Sequence, residues 1–156
     1  MRTTSLRRSA SLLAVSLVAV ACGGRYDTQP APEGAAPVPT VTGAIEAADQ
    51  ETDGSTVTLT SAEISGARGW IAVHSEVDGG PGPVLGTAEI QEGSNDDVLV
   101  TLATPLTSSA AVWPMLHVDD HEIGFYEFGA VEGADLPVTV DGEVVMRRIE
   151  LTITSP

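Results

Sequence analysis

The 156-residue chain sets 22 carboxylates against seven arginines, has no lysine, and carries a net charge of −15. Such a surface repels phosphate backbones and excludes nucleic acid as a partner. The length suits one domain, and a single cysteine, Cys22, leaves no intramolecular disulfide, so the domain has to hold together by its core.

The first segment is an export address. Arg2, Arg7 and Arg8 make a positive start, and Ala10 to Ala21 is apolar but diluted by Ser11 and Ser16. A bilayer span needs about 20 apolar residues, so residues 1–21 read as a cleaved signal peptide. Ala19-Val20-Ala21 places small residues immediately before Cys22. Ordinary signal peptidase accepts that pattern. Ala19-Val20-Ala21-Cys22 also resembles the lipobox of bacterial lipoproteins, with Ala19 in place of the usual Leu. A lone cysteine sitting at the cut favours the second route. Cys22 is then the lipidation site, and the mature protein is an extracytoplasmic, membrane-anchored lipoprotein at the cell surface or the periplasmic face. Removing the signal leaves four arginines against 22 carboxylates, a charge of −18. Anionic headgroups repel that surface, so the acyl anchor is the expected membrane contact.

Residues 22–40 read as the lipidated N-terminus and a disordered linker. Pro30, Pro32, Pro37 and Pro39 alternate with small and polar residues, too little apolar surface to offset ordering. Residues 41–156 read as the folded domain. Short alternating runs are broken by turn residues, with no helical period. Val41 to Gln50 is an irregular edge strand, Asp53-Gly54 a hairpin turn signal, and Thr56 to Ile64 a strand with Val57 and Leu59 on one face. Trp70 to Ser75 is the next strand, Asp78 to Pro83 a loop, Val84 to Ile90 a strand, and Gln91 to Asp96 a polar turn. Asp97 to Ala103 alternates with Val98, Val100 and Leu102 facing in. Val138 to Val145 is a hairpin on Asp141-Gly142, and Arg148 to Thr154 closes the chain with Ile149, Leu151 and Ile153 on one face.

The central strand is Ala110 to Val118. Alternation puts Val112, Pro114, Leu116 and Val118 on one face, with Trp113, Met115 and His117 on the other. In Trp70 to Ser75, Ile71 and Val73 oppose Trp70, Ala72 and His74. Ile71, Val73, Val98, Val100, Leu102, Leu116, Val118, Leu151 and Ile153 are the predicted core. If the two Trp/His strands are antiparallel neighbours, each Trp lies near the other strand's His; parallel neighbours would pair His with His. The opposite face then carries indoles and a thioether. It is either an open binding patch of Trp70, His74, Trp113, Met115 and His117, or it is buried under the aromatics of Gly124 to Phe128.

No Gly-x-Ser-x-Gly elbow or other nucleophile context surrounds the serines, and an acylated Cys22 is no nucleophile, so the chain reads as a non-enzyme without a cofactor. Asp119, Asp120, His121 and Glu122 form an acidic loop that offers oxygens for calcium, without EF-hand spacing. His74, His117, His121 and Met115 are donors for zinc or copper. A blue-copper electron carrier needs a thiolate that the mature domain lacks, and a closed zinc site needs four ligands at spacings not present here.

Trp70-Ile71-Ala72-Val73-His74, Pro81-Gly82-Pro83-Val84-Leu85-Gly86, Met115-Leu116-His117-Val118-Asp119 and Gly124-Phe125-Tyr126-Glu127-Phe128 occur in an order and spacing that resembles a known family. It is an uncharacterised β-sandwich domain of unknown function, found in secreted proteins and lipoproteins of halophilic archaea and diverse bacteria. Pro114, Gly129 and the loop Asp120 to Ile123 depart from its usual pattern. The resemblance implies an immunoglobulin-like sandwich at the cell surface and no activity.

The expectation is therefore an all-β, immunoglobulin-like antiparallel sandwich of about seven to nine strands. Its role is that of a monomeric, lipid-anchored envelope module, structural, adhesive or interacting with an unidentified protein or small ligand. The alternative is a sandwich that binds a small ligand or metal (calcium, copper or zinc) on the Trp/His/Met face or the Asp119 to Glu122 loop.

Overall fold

A computed structural model describes residues 40–154. The signal segment, Cys22 and the linker as far as residue 39 lie outside the described residues. Ten strands follow one another: β1 (Thr42–Glu46), β2 (Gln50–Thr52), β3 (Thr56–Ser65), β4 (Gly69–Val77), β5 (Gly80–Ile90), β6 (Gly93–Thr101), β7 (Ala110–Val118), β8 (Thr139–Val140), β9 (Glu143–Val144) and β10 (Ile149–Ile153). Eight of them build a sandwich, one sheet in the order β1-β3-β6 and the other β2-β10-β7-β4-β5, while β8 and β9 form a separate ribbon. All described ladders are antiparallel except one: β2 runs parallel to β10, Gln50 beside Leu151.

The core lies between the sheets. Val57, Leu59 and Ile64 from β3 and Val98 and Val100 from β6 meet Ile71 and Val73 from β4, Val112 and Leu116 from β7, and Ile149 and Leu151 from β10. Seven of the nine predicted core residues are buried; Val118 and Ile153 are half-buried near strand ends. In β3 the inward positions move from Val57 and Leu59 to Ala62 and Ile64. The slip lies beside Asp97, whose φ of 51° breaks regular pleating on the partner strand.

Three turn expectations are corrected. Asp53-Gly54 is a turn, but β2 and β3 belong to different sheets, so it carries the chain across the sandwich and makes no hairpin. Gly54 has φ 87°, and its carbonyl accepts Leu106 N–H at 2.9 Å. Pro81 to Pro83 is not loop: β5 begins at Gly80, and only Asp78-Gly79, both at positive φ, form the turn. Prolines are tolerated because β5 is the sheet edge, with register shifts between Val73 and Glu76 opposite it. Residues from Gly93 to Asp96, read as a turn, already belong to β6.

Pro114 sits inside a sheet, where a missing N–H normally breaks the ladder. Here pairing on that side of β7 changes hands. β10 pairs only Ala110 to Val112, and the segment before it takes over, with Arg147 N–H donating to Pro114 O and Leu116 N–H to Val145 O. Pro114 stands at that junction.

Candidate functional site

β4 and β7 are antiparallel neighbours, the arrangement that sets each Trp against the other strand's His: Trp70 opposite His117, Ala72 opposite Met115, His74 opposite Trp113. These residues share the sheet face turned away from the core. That face is covered. From Asp119 the chain folds back over it, placing Tyr126 edge-on to Trp70 at 5.8 Å and to His117 at 5.5 Å, and Phe128 edge-on to His117 at 4.7 Å. His117 is 0% exposed, and His74, Met115 and Trp70 are buried. Of the three aromatics expected to cover the face, Phe125 instead points outward, 60% exposed.

The acidic residues hold this cover down. The Asp119 carboxylate accepts Gly124 N–H at 3.0 and 3.2 Å, and Asp119 N–H donates to Arg68 O. Asp135, fully buried at φ 47°, accepts Glu127 N–H at 2.6 Å and Asp120 N–H at 3.3 Å, while Asp120 accepts Asp135 N–H at 3.0 Å. Glu127 accepts from Glu122 N–H at 2.9 Å and lies 2.6 Å from His121 Nδ1. That partnership raises the His121 pKa and lowers that of Glu127, whose largest cause is the Glu122 N–H. The carboxylates of Asp119 and Asp120 thus accept from backbone donors. Among the described residues no three His, Cys, Asp or Glu side chains form a metal-holding group.

Trp113 lies at the rim. Its indole N–H donates to Glu76 at 3.2 Å, and Glu76 is also bound by Arg148, the main cause of its lowered pKa. The structure therefore brings Trp70, His74, Met115 and His117 together, leaves Trp113 at the edge, and places His121 in the covering loop, paired with Glu127.

The two buried histidines are held alike. His74 Nδ1 lies 2.7 Å from Gly82 O, and His117 Nδ1 2.7 Å from Asp135 O. A carbonyl only accepts, so Nδ1 carries the proton and Nε2 keeps its lone pair. Burial pushes the His117 pKa down to about 4, and nearby His74 adds to this against the opposing Asp135 carbonyl. Neither Nε2 has a hydrogen-bond partner. Beside His74 a hollow of about 270 Å³ is lined by Met115, Met146, Phe128, Pro137 and Gly82 among others. Met146, which pairs with Met115 in an antiparallel bridge, went unmarked in the sequence, as did Pro137 and Asp135, while Gly82 was read only as loop and as part of a family-like segment. The only signal for Met146 is its place in the apolar run Val144-Val145-Met146 before the two arginines.

A family model described as a domain of unknown function, DUF7282, matches residues 43–152, the whole sandwich except the first residue of β1 and the last of β10. Among similar proteins, Cell surface glycoprotein 1 of Haloarcula hispanica is 34% identical over 113 residues and Cell surface glycoprotein 2 of the same organism 31% over 115. These matches cover 72% and 73% of this chain but only 12% of each glycoprotein. No solved structure matches.

Proposed function

This chain belongs to the DUF7282 family of domains of unknown function, and from that premise we propose that it is a lipid-anchored module of the cell envelope with a non-catalytic, structural or adhesive role. The observation that carries the reading is modular. One sandwich accounts for nearly all of the match, and the same unit makes up 12% of much longer chains named as cell surface glycoproteins. Here the unit follows a signal-like segment, a lipobox-like tetrapeptide and a proline-rich linker. Lipid on Cys22 would fix it to a membrane, with the proline-rich segment as the tether between anchor and domain.

The test is intact mass of protein extracted from membranes. An N-terminal Cys22 bearing acyl chains is expected, with Cys22→Ser protein leaving the anchored fraction while melting at an unchanged temperature. Unmodified Cys22 in a soluble extracytoplasmic fraction would remove the anchor from the proposal. Retention of the whole chain in the cytoplasm would overturn the envelope role itself.

A further inference from the structure

The buried face holds an unusual arrangement. His74 and His117 are four register positions apart on neighbouring strands, a separation of about 13 Å along the sheet. Their ring centres are nevertheless 5.8 Å apart, and the ring planes differ by 13°. The two imidazoles therefore lean toward one another over Ala72 and Met115. Ala72 leaves room for this because its side chain is a single methyl.

Each ring donates its Nδ1 proton to a backbone carbonyl and keeps an unpartnered, buried Nε2 lone pair. Ligating histidines commonly show this outer hydrogen bond, which fixes the tautomer and aims Nε2 at the metal. Two imidazoles sharing one ion through Nε2, with bonds of about 2 Å, place their ring centres roughly 6 Å apart at most. Met115 lies between them on β7, and Met146 stands across the bridge from Met115, both lining the hollow beside His74. We propose that His74, His117, Met115 and Met146 form a binding site for univalent copper, with Met146, 38% exposed, at its mouth.

The donor set selects the ion. All four donors are neutral, and two are soft thioethers, which suit Cu(I). Calcium and magnesium want oxygens, and the nearby carboxylates bind backbone N–H groups instead. No thiolate is within the described domain, so the site would hold copper without the ligand set of a blue-copper electron carrier.

Silver(I), a redox-inert ion of the same softness, tests this in full-length protein carrying C22S, so that no thiol competes. Isothermal titration should give one saturable equivalent, with a higher melting temperature and shifted Nε2 resonances for His74 and His117. Anaerobic Cu(I) should match it, while Zn(II) and Ca(II) give no such site. Met115→Leu and Met146→Leu nearly conserve volume and should fold normally. Met115→Leu should weaken silver binding at least tenfold, Met146→Leu should weaken it too, and His121→Ala should leave it unchanged. Absence of a saturable equivalent overturns the proposal, as does binding that survives both methionine replacements or shifts only His121.

Discussion

Trp70 stands directly opposite His117 across the β4–β7 ladder, and the ring of Tyr126 lies edge-on to both. A sandwich normally turns polar side chains outward; this one has a second, smaller interior outside its main core. Strand β4 is buried continuously from Gly69 to His74 for that reason, with one face on the opposing sheet and the other under the returning chain.

Phe128 should be a principal clamp of that second interior. It is half-buried and touches His117 edge-on. Phe128→Ala is expected to lower stability by about 1–3 kcal/mol, less than a fully buried Phe because part of the ring already meets water. It should also open His117 to modification by an imidazole reagent. Phe125→Ala, at an exposed site three residues earlier, should change stability by less than about 0.5 kcal/mol. Urea unfolding of the two variants, with His117 reactivity followed by mass, makes the comparison. Equal effects would show that the cover is not anchored through Phe128.

Leu116 faces the other way, into the main core, and is fully buried. Leu116→Ala should lose about 2–5 kcal/mol, the transfer energy of the removed methylenes plus a cavity. The neighbouring backbone is close packed: a methyl on Gly43 of β1 would lie 2.4 Å from Leu116 Cδ2 and 2.5 Å from Glu63 O. Little collapse is available to fill the void, which favours the upper half of that range. A loss under about 0.5 kcal/mol by chemical denaturation would place Leu116 outside the core.

These two predictions mark what was legible in the sequence and what was not. Period-two alternation assigned the faces of β4 and β7, because one flipped register exposes every apolar residue. It also fixed Trp70 near His117 and His74 near Trp113 once the strands were antiparallel neighbours. Alternation does not tell which sheet a strand joins, so Asp53-Gly54 read as a hairpin although it changes sheets. Nor does it reveal an edge, which is why Pro81-Gly82-Pro83 read as loop while forming the tolerant outer strand β5. The partners of the buried histidines are the Gly82 and Asp135 carbonyls, 8 and 18 residues from His74 and His117 by sequence number, and Met146, which lines the hollow beside His74, is 72 residues from it. Backbone carbonyls carry no residue-type signature, and long-range closure leaves none in local spacing.

Gly54 is held by conformation and by space. Its φ is 87°, and a Cβ there would lie 2.1 Å from the Leu106 carbonyl oxygen that sits against the turn. Gly54→Ala is expected to destabilise by at least about 1–3 kcal/mol, since a left-handed residue with a side chain is strained before the collision is counted. Asp53→Ala removes an exposed carboxylate that accepts Ser55 N–H at 2.8 Å and the Ser55 hydroxyl at 2.6 Å, without straining the backbone, and should have a smaller effect. Thermal melts of both variants test this ordering; an Ala at residue 54 that melts like wild type would mean the sheet-crossing turn relaxes freely.

The pH dependence of metal-free protein should report on His117. Its pKa in the fold is about 4 against an ordinary 6.5, chiefly because burial penalises the charged ring. The unfolded chain therefore binds the proton more readily. The stability tied to a neutral His117 is fully present above about pH 6.5 and is lost as pH falls toward 4, amounting to about 3 kcal/mol. His121 works in the opposite sense: its pKa is raised by Glu127, so its smaller, exposed contribution is present at low pH and fades as pH rises through the folded value. Comparing urea unfolding of wild type with His117→Gln at pH 7 and at pH 4.5 subtracts His121 and every carboxylate common to both. The gap between the two proteins should shrink markedly at the lower pH. A gap that stays constant across that interval would mean His117 titrates as a solvated imidazole, and the cover formed by Tyr126 and Phe128 would not seal it.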